Sequence, residues 1–339
     1  MMIELLNTKV FDNERNVLNA DLFVSNLKHV LSSFRFNTKI TYEVYRNVTI
    51  YHISWNDDKD YNDILGLRKE IALALGVDVH ELDIVKINDN EIKIRVQNMK
   101  KSTLSLKELL EEVHDEDNNL IPLGLSEDDK VIYFDVDRDK NLLVVGVTGT
   151  GKSNLFNSII LNMLMKRDGT GIVILDSQSI NYNSYNDVVE VVNDEDEIIN
   201  KLKSIRGEFE ERVVNGNRDR IVIFIDEIYE IIKNDISVKD NINYLLEVGS
   251  SMNIHIIMST DSVLDEDISY LFDKDDISKL CFYLTSRNEY NRFLDEYVDE
   301  SLGKDAIYIS FGGKRERVCI PLVDDDDEIK RIVGYLKNN

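Results

Sequence analysis

Cysteine and proline are nearly absent, with two of each in 339 residues. Cys281 and Cys319 cannot build a disulfide framework or a Cys/His zinc centre, and a large acidic chain without such staples is expected in the cytoplasm. No stretch approaches the ~18 consecutive apolar residues of a membrane span, and the N-terminus lacks the basic start and apolar run of a signal peptide. No membrane segment of its own is therefore expected. Positive charge is the largest deficit: 40 Lys+Arg against 64 Asp+Glu give a formal net charge of −24. That balance excludes the basic footprint of a simple nucleic-acid-binding domain. Internal repeats and low-complexity tracts are also missing. What is present, 43% hydrophobic and 8% aromatic residues, is enough to bury a core, and the length suggests two domains.

Residues 1–117 read as an α+β accessory domain. Leu22, Val24, Leu27, Val30 and Leu31 have helical spacing within 20–34, and 40–55 alternates like paired strands. A helix is expected over 63–75 and two strands over 84–96, around Asn88-Asp89-Asn90. Ser105 with Glu108 three residues on opens a short helix as a capping box. The acidic run 111–117 reads as solvated, and 118–140 as a linker and entry strand. Residues 141–339 change texture: 142–145, 172–175, 221–225, 254–258 and 280–284 are strands apolar on both faces, as a parallel sheet covered by helices requires. A hairpin over 306–310 and 317–320 brackets Phe311-Gly312-Gly313-Lys314. After Pro321, the acidic 324–328 reads as the first turn of a last helix.

The strongest chemical signal is Gly146-Val147-Thr148-Gly149-Thr150-Gly151-Lys152-Ser153, a full GxxxxGKS between a strand and the helix that begins at Asn154. The glycines let the backbone curl so that its N–H groups point at phosphate, and the helix N-terminus adds positive potential. Lys152 would bridge the β- and γ-phosphates of ATP, and the Ser153 hydroxyl would take a place on Mg²⁺. Gly146, Thr148, Gly149, Thr150, Gly151 and Asn154 complete the nucleotide-binding set. A second strand, 220–225, ends in Asp226-Glu227, a Walker B pattern: Asp226 would hold Mg²⁺ through water and Glu227 would deprotonate the attacking water. Ligand sites in open α/β sheets lie at the carboxyl ends of strands, where both motifs fall. A third strand from Ile254 ends in Ser259-Thr260-Asp261, with Thr260 and Asp261 as candidate sensors of the γ-phosphate. His255 inside it reads as a packing residue.

Together these residues resemble the FtsK/SpoIIIE family of hexameric double-stranded DNA translocases, within the HerA-FtsK group of P-loop ATPases. Asn141-Leu142-Leu143-Val144-Val145-Gly146 stands before the phosphate loop as in the family. Met252-Asn253-Ile254-His255 resembles its Gly-Ile-His run, and Gly303-Lys304-Asp305-Ala306-Ile307-Tyr308 and 321–330 resemble its closing hairpin and last helix. Residues 64–75 and 105–110 are similar to the accessory domain ahead of the motor. The resemblance implies an α/β fold: a RecA-like P-loop ATPase domain with a mainly parallel sheet, preceded by a smaller α+β domain. It further implies ATP and Mg²⁺ as cofactors, double-stranded DNA as partner and a homo-oligomeric, hexameric ring. Where the family has Thr-Gln-Arg-Pro, this chain has Thr260-Asp261-Ser262-Val263, a carboxylate in place of the sensing amide. The family's Asp-Ser-Arg run falls at Glu289-Tyr290-Asn291, with Arg292 one place late. The family's anchoring and DNA-orienting segments have no counterpart here, which suggests a stand-alone motor of a plasmid, conjugative element or phage with a separate recruiting or membrane-anchoring protein.

A motor that steps along any sequence needs phosphate contacts without base readout. The densest basic stretch is Lys314-Arg315-Glu316-Arg317, and with Lys304 and Arg292 it supplies the DNA-contact candidates. Lys93, Arg95, Lys100, Lys101 and Lys107 form a second basic group. Lys279, Arg287 and Arg292 are candidates for a basic residue acting in trans on a neighbour's nucleotide. An acidic exterior would repel duplex everywhere except a basic channel, which favours threading through a ring. Two rivals stay open: a protein-secretion ATPase of the type VII kind, and a weakly hydrolysing ATP-binding assembly module in which Asp261 damps turnover.

Overall fold

The computed structural model describes residues 2–7, 14–79, 82–98, 103–114, 117–178, 181–233, 236–274, 277–295, 305–323 and 326–338. The chain divides into two compact units, one of residues 10–103 with 127–129, the other of 1–9, 104–126 and 130–339.

The small unit opens with α1 (Glu14–Ser33), then β1 (Thr38–Val44) and β2 (Val48–Trp55). The helix expected over 63–75 is two helices, α2 (Tyr61–Leu65) and α3 (Arg68–Leu75), interrupted at Gly66-Leu67. Asp60 caps α2 through a capping box with Asp63, and Gly76 ends α3 at φ 66°, a left-handed conformation suited to glycine. Strands β3 (Asp83–Asn88) and β4 (Glu91–Gln97) complete an antiparallel sheet of order β1-β2-β4-β3. Alternation aims Ile92, Ile94 and Val96 of β4 at the core with Tyr51, Ile53 and Trp55 of β2, where Leu27 and Leu31 of α1 and Ile71 of α3 cover them.

The large unit begins earlier in sequence than the expected boundary at 117. Leu104, with Leu106 and Leu109 of α4 (Leu106–Glu111), is buried in its core, so this segment belongs with the large unit. The stretch 118–140, expected as a linker and entry strand, is mostly strand. It forms β5 (Leu120–Leu125), β6 (Val131–Asp135) and α5 (Val136–Asp139), and Ile121, Leu123 and Leu125 are buried. Gly124 is required where β5 meets the next strand, because a Cβ there would lie 2.2 Å from the Cys319 carbonyl oxygen.

The rest follows as β7 (Asn141–Val145), α6 (Lys152–Lys166), β8 (Gly171–Asp176), β9 (Glu190–Val192), α7 (Glu195–Asn215), β10 (Ile221–Asp226), α8 (Ile228–Ile232) and α9 (Ile236–Val248). Then come β11 (Ile254–Thr260), β12 (Ile277–Cys281), α10 (Arg287–Leu294), β13 (Asp305–Ile309), β14 (Arg315–Cys319) and α11 (Asp326–Asn338). The ten-stranded sheet has the order β6-β5-β14-β13-β12-β7-β11-β10-β8-β9. Its six strands from β12 to β9 are parallel, and the other four are antiparallel. In β7, Leu142 and Val144 face one apolar layer with Phe156 and Ile159 of α6. Leu143 and Val145 face the other, with Leu202 of α7 and Ile242 of α9. Each fully buried side chain of this kind contributes about 1.5–3 kcal/mol. The expected α/β architecture with a mainly parallel sheet is the one observed. Among the described residues no helix is long and apolar enough to cross a membrane.

Candidate active site

The parallel strands end together at one edge of the sheet, and the loop from β7 to α6 runs along that edge. Gly146 N–H donates to the Thr260 carbonyl at 3.3 Å and Val147 N–H to the Tyr283 carbonyl at 3.1 Å, so the loop is clamped from behind by the ends of β11 and β12. A Cβ on Gly146 would sit 2.6 Å from Phe282 Cβ, and Gly149 and Gly151 have φ of 83° and 118°. The glycines of the motif are therefore demanded by the backbone path.

Lys152 is buried, 5% exposed, and is satisfied within the chain. Its Nζ donates to the Gly146 carbonyl at 2.7 Å and pairs with Glu227 Oε1 at 3.0 Å. Ser153 Oγ donates to Asp226 Oδ2 at 3.3 Å. Glu227 stands at the start of α8 with φ 51° and ψ 62°, a left-handed conformation that costs a non-glycine residue about 1–3 kcal/mol. Two bonds hold it there: its own N–H donates to Ser259 Oγ at 3.0 Å, and Asp261 N–H donates to Glu227 Oε2 at 3.0 Å. Burial raises the Glu227 carboxyl above its usual range, and the positive charge of Lys152 offsets this only in part.

Asp226 is buried and gripped on both oxygens. Ser259 Oγ donates to Oδ1, and the Tyr182 hydroxyl donates to Oδ2 at 3.0 Å. Tyr182 comes from the loop between β8 and β9, and burial next to Asp226 pushes its phenol well above the ordinary value, so it remains a donor. Gln178 and Asn181 of the same loop line the pocket with Thr148, Gly149, Gly151, Lys152, Ser153, Asn154, Asp226 and Glu227.

The sequence-predicted residues mostly converge here, with roles the motifs did not separate. Thr150 Oγ1 donates to the Val147 carbonyl at 2.7 Å, inside the loop. Asn154 lines the pocket and also bridges the Pro321 carbonyl at 2.7 Å and the Val323 amide at 2.9 Å. Thr260 is fully buried and its hydroxyl accepts from Ser262 N–H, so it supports the loop from below. Asp261 reaches the phosphate loop itself, accepting from Thr148 Oγ1 at 3.1 Å. His255 is a packing residue: its Nδ1 meets the Lys140 carbonyl at 2.8 Å, and burial lowers it to about 4. Sequence reasoning placed Ser259 at the polar end of the third strand and did not find its hold on Asp226. Tyr182 carried no signal, since no motif spacing links it to a residue 44 positions away.

The basic candidates do not converge. Lys279 points its Nζ at the Phe272 carbonyl at 2.7 Å. Arg292 forms a two-pronged pair with Asp273, at 2.7 and 2.9 Å, and also donates to the Ser269 carbonyl. Arg287 is exposed at the first turn of α10. Lys314 pairs with Glu316 at 2.9 Å, Arg315 is half-buried on β14, and Arg317 pairs with Asp305 at 3.1 Å. Because β13 runs antiparallel to β12, the hairpin tip lies at the amino end of the parallel strands, where Phe311 N–H donates to Asp139 and to Ser278. In the second group, Arg95 pairs with Glu127, and Lys107 with Glu4 at 3.1 Å. Lys304, Lys100 and Lys101 lie outside the described residues.

The donor set fits nucleotide and magnesium. Oxygen ligands from Ser153 and Asp226 beside a glycine-lined loop suit a hard cation held largely by phosphates. Among the described residues no group of three or more His, Cys, Asp or Glu could hold a metal ion.

Fold and site define a P-loop domain of the RecA-like class. The FtsK/SpoIIIE family model matches residues 106–276, half of the chain, and the chain belongs to that family. It is 25% identical to a DNA translocase FtsK of Bacillus anthracis, over 97% of this chain and 45% of the relative. It is 24% identical to the DNA translocase SpoIIIE of Bacillus subtilis (strain 168), over 91% of this chain and 44% of the relative. The chain thus spans less than half the length of these relatives. Among solved structures, the pCW3 conjugation coupling protein TcpA, in its monomer form with ATPγS, superposes with a TM-score of 0.60 at 13% identity, covering 94% of this chain and 99% of that one. The cytoplasmic domain of the type VII secretion ATPase EccC from Thermomonospora curvata gives 0.59 at 15% identity, over 70% and 34%.

Proposed function

We propose that this chain hydrolyses ATP and couples the hydrolysis to movement along double-stranded DNA. The observation that carries the enzymatic part is the junction of two motifs: Lys152 on Glu227, and Ser153 on Asp226, at one edge of one sheet. Lys152 would leave Glu227 for the β- and γ-phosphates, freeing the carboxylate. Glu227 then takes a proton from the attacking water as the new O–P bond forms and the bond to the ADP oxygen breaks. Ser153 and Asp226 would hold Mg²⁺, which would supply positive charge against the charge of the transferred phosphoryl group. Asp261 N–H keeps Glu227 oriented.

Duplex DNA as cargo rests on the relatives, which are named as DNA translocases and align with nearly all of this chain. The likeness of fold to both a conjugation protein and a secretion ATPase does not choose between cargoes. A closed head-to-tail ring of identical subunits, six in the family's manner, would supply a basic residue in trans, and work on duplex would take place in the cytoplasm. The decisive test measures ATP turnover of the purified chain with and without linear duplex of mixed sequence at low salt, together with duplex affinity. Stimulated turnover and ATP-dependent displacement of a triplex-forming strand are expected. Turnover without any response to duplex, and no duplex affinity at low salt, would remove DNA as cargo. Oligomer size that follows nucleotide while turnover stays at background would support the assembly-module alternative, in which Asp261 on Thr148 damps hydrolysis.

A further inference from the structure

We propose that Tyr182 is a positioning residue for Asp226, tying the cation side of the site to the loop that lines the nucleotide pocket. The inference rests on the nucleotide and magnesium reading given above and adds a residue to it. Three hydroxyls from three separate elements set the plane of the Asp226 carboxylate: Ser153 from α6, Ser259 from β11 and Tyr182 from the loop after β8. Ser153 is also the one that would face the cation. Ser259 and Tyr182 hold the carboxylate, one on each oxygen, and the Tyr182 hydroxyl also meets the Ser153 side chain.

Tyr182 is fully buried, so its ring is held by packing and its hydroxyl has a fixed aim. Its loop is anchored independently. The Asp176 carboxylate accepts from Gln178 N–H at 3.1 Å and from Asn181 N–H at 3.3 Å, and the Tyr185 hydroxyl donates to Asn157 Oδ1 on α6 at 3.1 Å. Gln178 and Asn181 line the nucleotide pocket, while Tyr182, one residue further on, reaches the carboxylate. A shift of this loop on nucleotide entry therefore moves a hydrogen-bond donor of Asp226. Conversely, a cation that fixes Asp226 fixes the loop.

Tyr182→Phe tests this with little change in volume. It removes the O–H and leaves the ring. Tyr185→Phe is the matched control: equally buried, in the same loop, also losing one hydroxyl, but with no bond to Asp226. Binding of a fluorescent ATP analogue to the full chain is titrated with Mg²⁺ and measured separately in EDTA. Outer partners of metal ligands typically set affinity by 10–100-fold, so Tyr182→Phe should raise the half-saturating Mg²⁺ concentration about tenfold, with its EDTA affinity and the Tyr185→Phe titration within about twofold of the parent. A Mg²⁺ midpoint for Tyr182→Phe within about twofold of the parent overturns the proposal, and so does an equal shift in Tyr185→Phe. Loss of metal-free affinity to the same degree would also overturn it, by showing a packing role alone. A parent chain that binds no nucleotide under any condition sinks the nucleotide reading and this inference together, whereas the other outcomes touch Tyr182 only.

Discussion

At the carboxyl edge of the parallel strands, Lys152 lies buried against Glu227 in a pocket lined by glycines, while Arg292, Lys314 and Arg317 sit on carboxylates elsewhere in the same unit. All four are cations paired with an acid of their own chain, yet the pairings differ in kind. The Lys152 pair is buried, so its attraction acts in a low dielectric while both charges have been taken out of water, and in the proposed reading an incoming phosphate would take the place of Glu227. Lys314, 71% exposed on its side chain, gains little from Glu316 because water screens both. In a chain with 64 acidic residues against 40 basic ones, a surface cation readily finds an acidic neighbour. A basic residue is therefore weak testimony to a ligand unless its surroundings exclude water.

The sharpest attempt to break this contrast is Lys152→Ala, which should reduce nucleotide binding and turnover to background; retained binding would deny the buried pair its role. Glu227→Gln should keep nucleotide binding while turnover falls by at least about 100-fold, the scale of general base catalysis, and an unchanged rate would remove the assigned base.

Glu227 also gives a signature in stability. Its carboxyl is raised in the fold, burial being the chief cause, so the neutral form is favoured there. The stability it contributes is fully present below the unfolded-state value near 4.5 and is lost as pH rises through the folded value. Glu227→Gln cannot ionise, so the melting temperature of the variant relative to the parent should rise between pH 5 and pH 8. A difference that stays flat with pH would contradict the burial argument.

The smallest effects test the other side of the comparison. Arg317, 9% exposed, faces Asp305 across β13 and β14, and Arg317→Ala should destabilise by about 1–3 kcal/mol because a largely buried carboxylate loses its partner. Lys314→Ala should leave the melting temperature close to that of the parent. If Lys314 contacts duplex as proposed, its removal should lower the slope of affinity against salt by about one; an unchanged slope takes Lys314 off the list of DNA contacts.

The strands, the phosphate loop and the Asp-Glu pair were legible because each is written in a few consecutive residues. Apolar runs specify buried strands, GxxxxGKS specifies a curled loop, and Ser105 with Glu108 forms the expected capping box. The break of the 63–75 helix at Gly66-Leu67 was not, since its periodicity runs through the interruption. The placement of 104–140 was not either: whether Leu106 and Ile121 serve the small unit or the large one depends on which core receives them, and both are apolar enough for either.

What the sequence by itself determined is local: where the chain curls around phosphate, which strand ends in paired acids, and which residues run in the buried sheet. The tertiary structure decided the partners. Tyr182 meets Asp226 across 44 residues, Ser259 meets it across 33, and Thr148 meets Asp261 across 113. Those meetings follow from strand order, which places β8, β10, β11 and β7 side by side although the chain visits them in another sequence. Spacing along a chain can encode a turn or a helix cap, because the backbone itself carries the geometry. It cannot encode a hydrogen bond between neighbours that only the assembled sheet creates.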